Sequence, residues 1–283
     1  MTGILLQMAD VLVFEPFRRG MPPLRDYARD MWRRRSFVSE YAHAALKGQH
    51  ADTNLGRLWL VVNPLFLALV YYVLILVIGL RGEPSADFFL HLVAGVFAFY
   101  FFSTALTTGA TSISSAGGLV LRHRMPRLVL PLATTLAALR RFAPAVVLLV
   151  IGTVLFRGWP GPSILYALPS FLLLLTLAFG AVLMAATAQV YVRDVGALVP
   201  MISRIALYLS PVLYTPDQVP DKLLALLQLN PLFWIMASWT SAFSGEEPIP
   251  ASGWLIATIW AVAALFGGLL VFLSRERDFA SHV

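Results

Sequence analysis

The stretch LWLVVNPLFLALVYYVLILVIGL, residues 58–80, runs for 23 positions without a charged side chain. An apolar helix of about 20 residues crosses the ~30 Å hydrocarbon layer of a bilayer. Three further stretches, Phe88 to Leu121, Ser163 to Val192 and Pro248 to Ser274, are also free of Asp, Glu, Lys and Arg. A water-soluble domain has no use for several such runs. The chain therefore reads as an all-α membrane protein, and its function must be sought in its loops and helix interruptions.

Composition agrees. Hydrophobic residues make up 59 % of the 283 positions and charged residues 13 %, against about 45–50 % and about 25 % in soluble domains. The chain has no cysteine, which excludes disulfides, thiolate metal sites and cysteine nucleophiles. In a soluble protein the net charge of +6 would suggest nucleic acid. Here basic residues mark the cytoplasmic side and the anionic leaflet, and no nucleic-acid partner is expected. Met1 to Phe14 lacks a basic start and is interrupted by Asp10, unlike a signal peptide, so a cytoplasmic N-terminus is expected.

Six spans are predicted, at about 58–80, 88–110, 128–156, 164–190, 195–214 and 254–274. The third joins two apolar halves across Arg140-Arg141, because neither half is long enough alone. The segment 223–244 is uncharged too, but Asn230-Pro231 divides it. Proline lacks the amide donor and disfavours helix in the residue before it. Two extracellular re-entrant half-helices between spans 5 and 6 fit better than a seventh span, buried against protein or lining a cavity. With both termini cytoplasmic, 15 basic residues lie inside and three outside, Arg81, Arg157 and Lys222. That asymmetry satisfies the positive-inside rule. The expected organisation is a cytoplasmic arm (1–57), a transmembrane domain (58–274) and a cytoplasmic tail (275–283). In the arm, Phe37, Val38, Tyr41, Ala42, Ala45 and Leu46 recur at helical spacing behind Trp32-Arg33-Arg34-Arg35. This pattern suits an amphipathic helix in the headgroup layer, capped by Ser36. A solvated helix packed on a partner protein is the competing reading.

Missing motifs narrow the function. No Gly-x-x-x-x-Gly-Lys-[Ser/Thr] loop is present to cradle ATP. No carboxylate falls inside an assigned span, which argues against a proton- or sodium-coupled carrier. There is no His-Glu-x-x-His, no Gly-x-Ser-x-Gly and no His/Asp constellation. His91 is expected to pack and hydrogen-bond rather than catalyse. An energy source on another polypeptide is the leading idea.

Several local patterns, in order, resemble one family. They are Asn54-Leu55-Gly56-Arg57-Leu58-Trp59 with Asn63-Pro64-Leu65, Val120-Leu121-Arg122-His123-Arg124-Met125-Pro126-Arg127, and Tyr191-Val192-Arg193-Asp194-Val195. Leu209-Ser210-Pro211-Val212-Leu213-Tyr214 and Leu229-Asn230-Pro231-Leu232 complete the set. Together, over about 36–274, they resemble the membrane subunits of ABC-2-type exporters that move polysaccharides or lipid-linked glycans such as O-antigen, teichoic acid or galactan. The resemblance implies a homodimer in the bacterial plasma membrane. Two copies of a separate ABC ATPase would hold ATP and Mg, this chain would hold no cofactor, catalytic site or metal, and a lipid-linked glycan would pass between the two copies. A small-molecule ABC-2 exporter remains the alternative, with an ion-coupled carrier behind it.

The implied docking elements are 36–50 and 120–127, with Glu40, Lys47, Arg122, His123, Arg124 and Arg127 as candidates. For the path, rings stack on sugar faces and hydroxyls bind them. Tyr100, Ser103, Thr104, Thr107 and Thr108 give one such helix face, although small-residue helix contact is the competing reading. Tyr71, Tyr208 and Arg204 are further path candidates. Arg204, inside the fifth span, is costly unless partnered or watered. It either meets a lipid phosphate or binds an anionic cargo group such as a pyrophosphate. Arg193-Asp194 is expected to form an ion pair closing the turn between spans 4 and 5.

Overall fold

The computed structural model describes residues 24–47, 56–78, 85–118, 125–159 and 161–281. The segment 1–23 and the candidates Arg122, His123 and Arg124 lie outside the described residues, as does the side chain of Lys47.

Two short helices come first, α1 (Leu24–Arg33) and α2 (Arg35–Lys47). α3 (Trp59–Ile78) and α4 (Ala86–Ala110) follow, then α5 (Val129–Arg157) and α6 (Ala167–Tyr191), the latter entered through a 3-10 turn at Pro162–Tyr166. The chain continues with α7 (Val195–Leu209), α8 (Asp221–Leu227), α9 (Phe233–Ser244) and α10 (Ala251–Arg275). No strand occurs among the described residues. Five of these segments are long and apolar enough to cross a membrane, namely α3, α4, α5, α6 with its lead-in, and α10.

α4 is the central helix. Every residue from Leu90 to Phe99 is buried. The Ser85 hydroxyl caps its start by accepting from the Phe88 amide at 3.2 Å, which satisfies one of the free N–H groups of the first turn. Around it pack α3, α5, α6 and α9. Rings fill the interior, with Phe142 stacked on Phe171 at 5.0 Å and Trp239 against Phe243 at 4.9 Å. The Trp239 indole donates to the Ala94 carbonyl at 2.9 Å. An N–H that is buried needs such a partner.

α5 is a single helix of 29 residues through Arg140-Arg141, so the two apolar halves do join. Two expectations about elements change. The fifth span was placed at 195–214, but α7 ends at Leu209 after 15 residues, about 22 Å at helical rise. Ser210-Pro211 breaks it, and the turn is tied down by Asn230, whose amide donates to the Leu209 carbonyl at 3.1 Å and the Ser210 hydroxyl at 3.0 Å. Asn230 also accepts from the Leu232 amide at 3.0 Å, opening the bend that separates α8 from α9. α9 is buried along its whole length.

The second change lies in the arm. α2 begins at Arg35, so Ser36 sits inside the helix rather than capping it. α1 precedes it, with Tyr27 and Met31 one helical turn apart and half-buried. Val38 packs on Val129 and Ala133 of α5, and the Arg140 guanidinium donates to the Ser39 carbonyl at 2.9 Å and its hydroxyl at 2.7 Å. An arginine that was awkward in the sequence is the clamp that holds α2 along the first half of α5.

Candidate translocation surface and tail junction

The path candidates fall into two groups. Tyr71 on α3 and Tyr208 on α7 approach one another, and Arg204 is near enough to act electrostatically on Tyr71. Arg204 is exposed, and Tyr208 is 53 % exposed. Tyr71, distant in the chain, thus joins Arg204 and Tyr208, one helical turn apart, in a patch of two rings and a cation on an outward surface. Rings that present hydroxyls at their tips offer both stacking faces and hydrogen bonds to a sugar.

The second group lies on α4. Tyr100, Ser103, Thr104, Thr107 and Thr108 are all half-buried. The Thr107 hydroxyl donates to the Ser103 carbonyl at 2.7 Å and Thr108 to the Thr104 carbonyl at 2.8 Å. Such back-bonding spends these hydroxyls on the helix itself. Tyr100 and Thr104 instead border a narrow cleft between α3 and α5, together with Arg141. The other rings of the run, Phe97, Phe99, Phe101 and Phe102, are buried in the protomer core and offer no face to a path.

At the end of the molecule where α5 begins, Arg127 is only half-exposed. Its backbone amide donates to the Glu276 carboxylate at 2.5 Å, and its guanidinium donates to the Glu276 carbonyl. The Tyr27 hydroxyl faces the same carboxylate. Burial, reinforced by that negative charge, pushes the Tyr27 phenol far above its ordinary range, so it remains a proton donor. Burial likewise lowers Arg127, opposed by Glu276 and Tyr27. One buried carboxylate therefore bonds the segment leading into α5 to the tail after α10, with the Tyr27 hydroxyl of α1 close by. Glu40 is exposed on α2.

At the opposite end, His91 is fully buried and its Nδ1 lies 3.1 Å from Glu246. Arg157 pairs with Asp87 at 2.8 Å. The expected structural role of His91 fits this pairing. Gly245 adopts φ +70 and its missing Cβ leaves room for the Arg157 guanidinium, a position that only glycine fills without strain.

The expected Arg193–Asp194 pair is absent among the described residues. Both side chains are exposed, and the Gln189 side chain closes the turn by accepting from the Gly196 amide. Neighbouring residues in a turn point apart, whereas Gln189 reaches back from the last turn of α6. Nor is any group of three or more His, Asp or Glu among the described residues arranged to hold a metal ion.

Sequence reasoning missed Arg141, Tyr27 and Glu276 as members of polar clusters. A guanidinium at bilayer depth was the available signal for Arg141. The other two meet only through tertiary structure.

Five bilayer-length apolar helices define a multi-pass membrane protein. The chain belongs to the family described as ABC-2 type transporter, whose profile matches residues 43–244. It is 25 % identical over 257 residues to the O-antigen export system permease protein RfbA of Myxococcus xanthus, covering 90 % of this chain and 98 % of that one. It is also 25 % identical over 199 residues to the protein of the same name from Klebsiella pneumoniae, covering 70 % of this chain and 76 % of the relative.

Proposed function

We propose that this chain is the transmembrane subunit of an ATP-driven exporter that moves a lipid-linked polysaccharide out across the bacterial inner membrane. Support comes first from similarity running almost the full length of a relative named as an O-antigen export permease. In the proposed arrangement two copies of this chain bound the path, and two copies of an ABC ATPase with ATP and Mg dock beneath them. Six crossings are needed, with α7 completed by the turn at Ser210–Tyr214 and α8–α9 dipping back from the outer face. Both termini then lie in the cytoplasm.

Within this arrangement the Tyr71, Tyr208 and Arg204 patch meets cargo. The rings stack on sugars or prenyl chain, and the guanidinium holds an anionic group. The buried Glu276 junction carries ATPase movement from the segment before α5 into α10, because pulling a buried carboxylate from its donors would leave it unpaired.

The test is complementation. The chain is coexpressed with its neighbouring ATPase in cells lacking both, and surface glycan is measured. Arg204→Ala is expected to cut export at least tenfold while dimer yield and ATPase binding are retained. Export that persists without any ATPase, or a glycan yield unchanged by Arg204→Ala, defeats the corresponding claim.

A further inference from the structure

Five arginines are described within α5, α7 and α10, and four have evident company, Arg275 lying over the Tyr191 ring. Arg140 is bound to Ser39, Arg157 to Asp87, and Arg204 neighbours two tyrosines. Arg141 differs. It is half-buried in the cleft between α3 and α5, its Nε is buried, and that atom has no hydrogen-bond partner among the described residues. A guanidinium at such depth is costly unless an anion or water completes it.

The surroundings define what completes it. Tyr100 lies close enough to interact electrostatically with Arg141, and Thr104 borders the same cleft. The hydroxyls of Tyr100 and Thr104 are not spent on any hydrogen bond among the described residues, unlike those of Thr107 and Thr108. The floor is apolar, formed by Phe97, Phe101 and Phe142. One cation and two hydroxyl donors thus converge, and no carboxylate lines the cleft.

Size decides between ligand classes. The cavity volume is about 10 Å³, room for one oxygen-sized group. A sugar ring is excluded. One oxygen of a phosphate fits, with the rest of the headgroup outside in the bilayer. Depth decides the leaflet. Arg141 sits about 24 Å along α5 from Arg157 at a rise of about 1.5 Å per residue, and the cleft is bordered by Leu60 and Pro64 at the start of α3. In the proposed orientation Arg141 therefore lies inside the ~30 Å hydrocarbon layer, close to its inner boundary and within reach of the inner headgroups.

We infer that Arg141, with Tyr100 and Thr104, forms an oxyanion site for a lipid-borne phosphate presented from the inner leaflet. Two lipids carry that chemistry, the diphosphate of a prenyl-linked cargo and the phosphodiester of an anionic phospholipid. The inference rests on the proposed function in naming the first of these and in assigning the inner leaflet.

The test uses the purified full chain in detergent, titrated by native mass spectrometry with a polyprenyl diphosphate, with phosphatidylglycerol and with an uncharged polyprenol. Arg141→Gln is expected to weaken the phosphate-bearing lipids at least tenfold, and Arg141→Lys to hold them within about threefold. Tyr100→Phe and Thr104→Val each weaken them by a smaller factor, and polyprenol binding does not change with any variant. Preference for the diphosphate assigns the site to cargo, and equal binding assigns it to a resident phospholipid; either supports an oxyanion site. A monodisperse Arg141→Gln protein that binds both lipids within twofold of the wild type overturns it. Neither ATPase nor glycan enters the measurement, so its failure is distinct from failure of the export reading.

Discussion

At the scale of single residues, one buried indole donor ties α9 to the central helix. Trp239 is 3 % exposed and donates to the Ala94 carbonyl in the middle of the central helix. Trp239→Phe keeps an aromatic ring but removes the donor and shrinks the ring beside Phe142, Phe171 and Phe243. Loss of a buried hydrogen bond costs about 1–3 kcal/mol where the acceptor is left without a partner, although Ala94 O keeps its helical bond and the effect should fall near the lower end. The expected result is a fall in the detergent melting temperature of a few degrees with the fold retained, followed by size-exclusion fluorescence. An unchanged melting temperature would mean that the indole N–H contributes nothing beyond the packing of its ring.

Among whole elements, close approach depends on glycine. Gly180 on α6 faces the Ala264 backbone of α10, and Gly268 faces the Gly180 carbonyl. Small residues at a helix crossing let backbones touch, which is how helices associate where lipid supplies no hydrophobic drive. A Cβ at Gly180 would run into the Ala264 carbonyl group, and backbone cannot step aside as a side chain tip does. Gly180→Val is therefore expected to cost at least about 1–3 kcal/mol by overpacking, and folded yield should drop sharply on size-exclusion chromatography. Gly118, with open space around it, tolerates the same change and serves as the control. The long elements were legible in the sequence because uncharged length at this scale has one physical solution, a helix across lipid. The α8–α9 break was legible only as a tendency, because Asn63-Pro64 continues through α3, whereas at Asn230-Pro231 the Asn230 side chain is bonded into the bend. What could not be read was the partner of each polar group. Arg140 looked misplaced until α2 came to lie along α5. Tyr27, Arg127 and Glu276 share one cluster although Tyr27 and Glu276 stand near opposite ends of the chain. The α1 helix was missed because its low hydrophobicity hid the Tyr27 and Met31 spacing. The end of α7 was misjudged because apolar residues continue past Ser210-Pro211. Of the path candidates, Tyr71, Tyr208 and Arg204 were each nominated by residue type, but their meeting is a property of how α3 and α7 pack.

For the molecule as a whole, the decisive quantity is the number of crossings, and the chain is suited to measuring it. It contains no cysteine, so a single introduced thiol reports its own side of the membrane without background. Trp159 is 89 % exposed after α5, and Asp217 lies between α7 and α8. Glu40 lies on α2, and Asp278 follows α10. With six crossings, Trp159→Cys and Asp217→Cys react with a membrane-impermeant maleimide added to intact spheroplasts, whereas Glu40→Cys and Asp278→Cys react only after lysis. The 15-residue α7 is the critical element. If it failed to cross, Asp217 would share a side with Glu40, and Asp278 would move to the side of Trp159. That exchange would place Arg275 and Arg277 outside, against the positive-inside bias, and would carry the Tyr27–Arg127–Glu276 junction across a bilayer that its hydrogen bonds cannot span. Retention of that junction at one face, together with the basic tail, is the physical reason to expect the six-crossing labelling pattern.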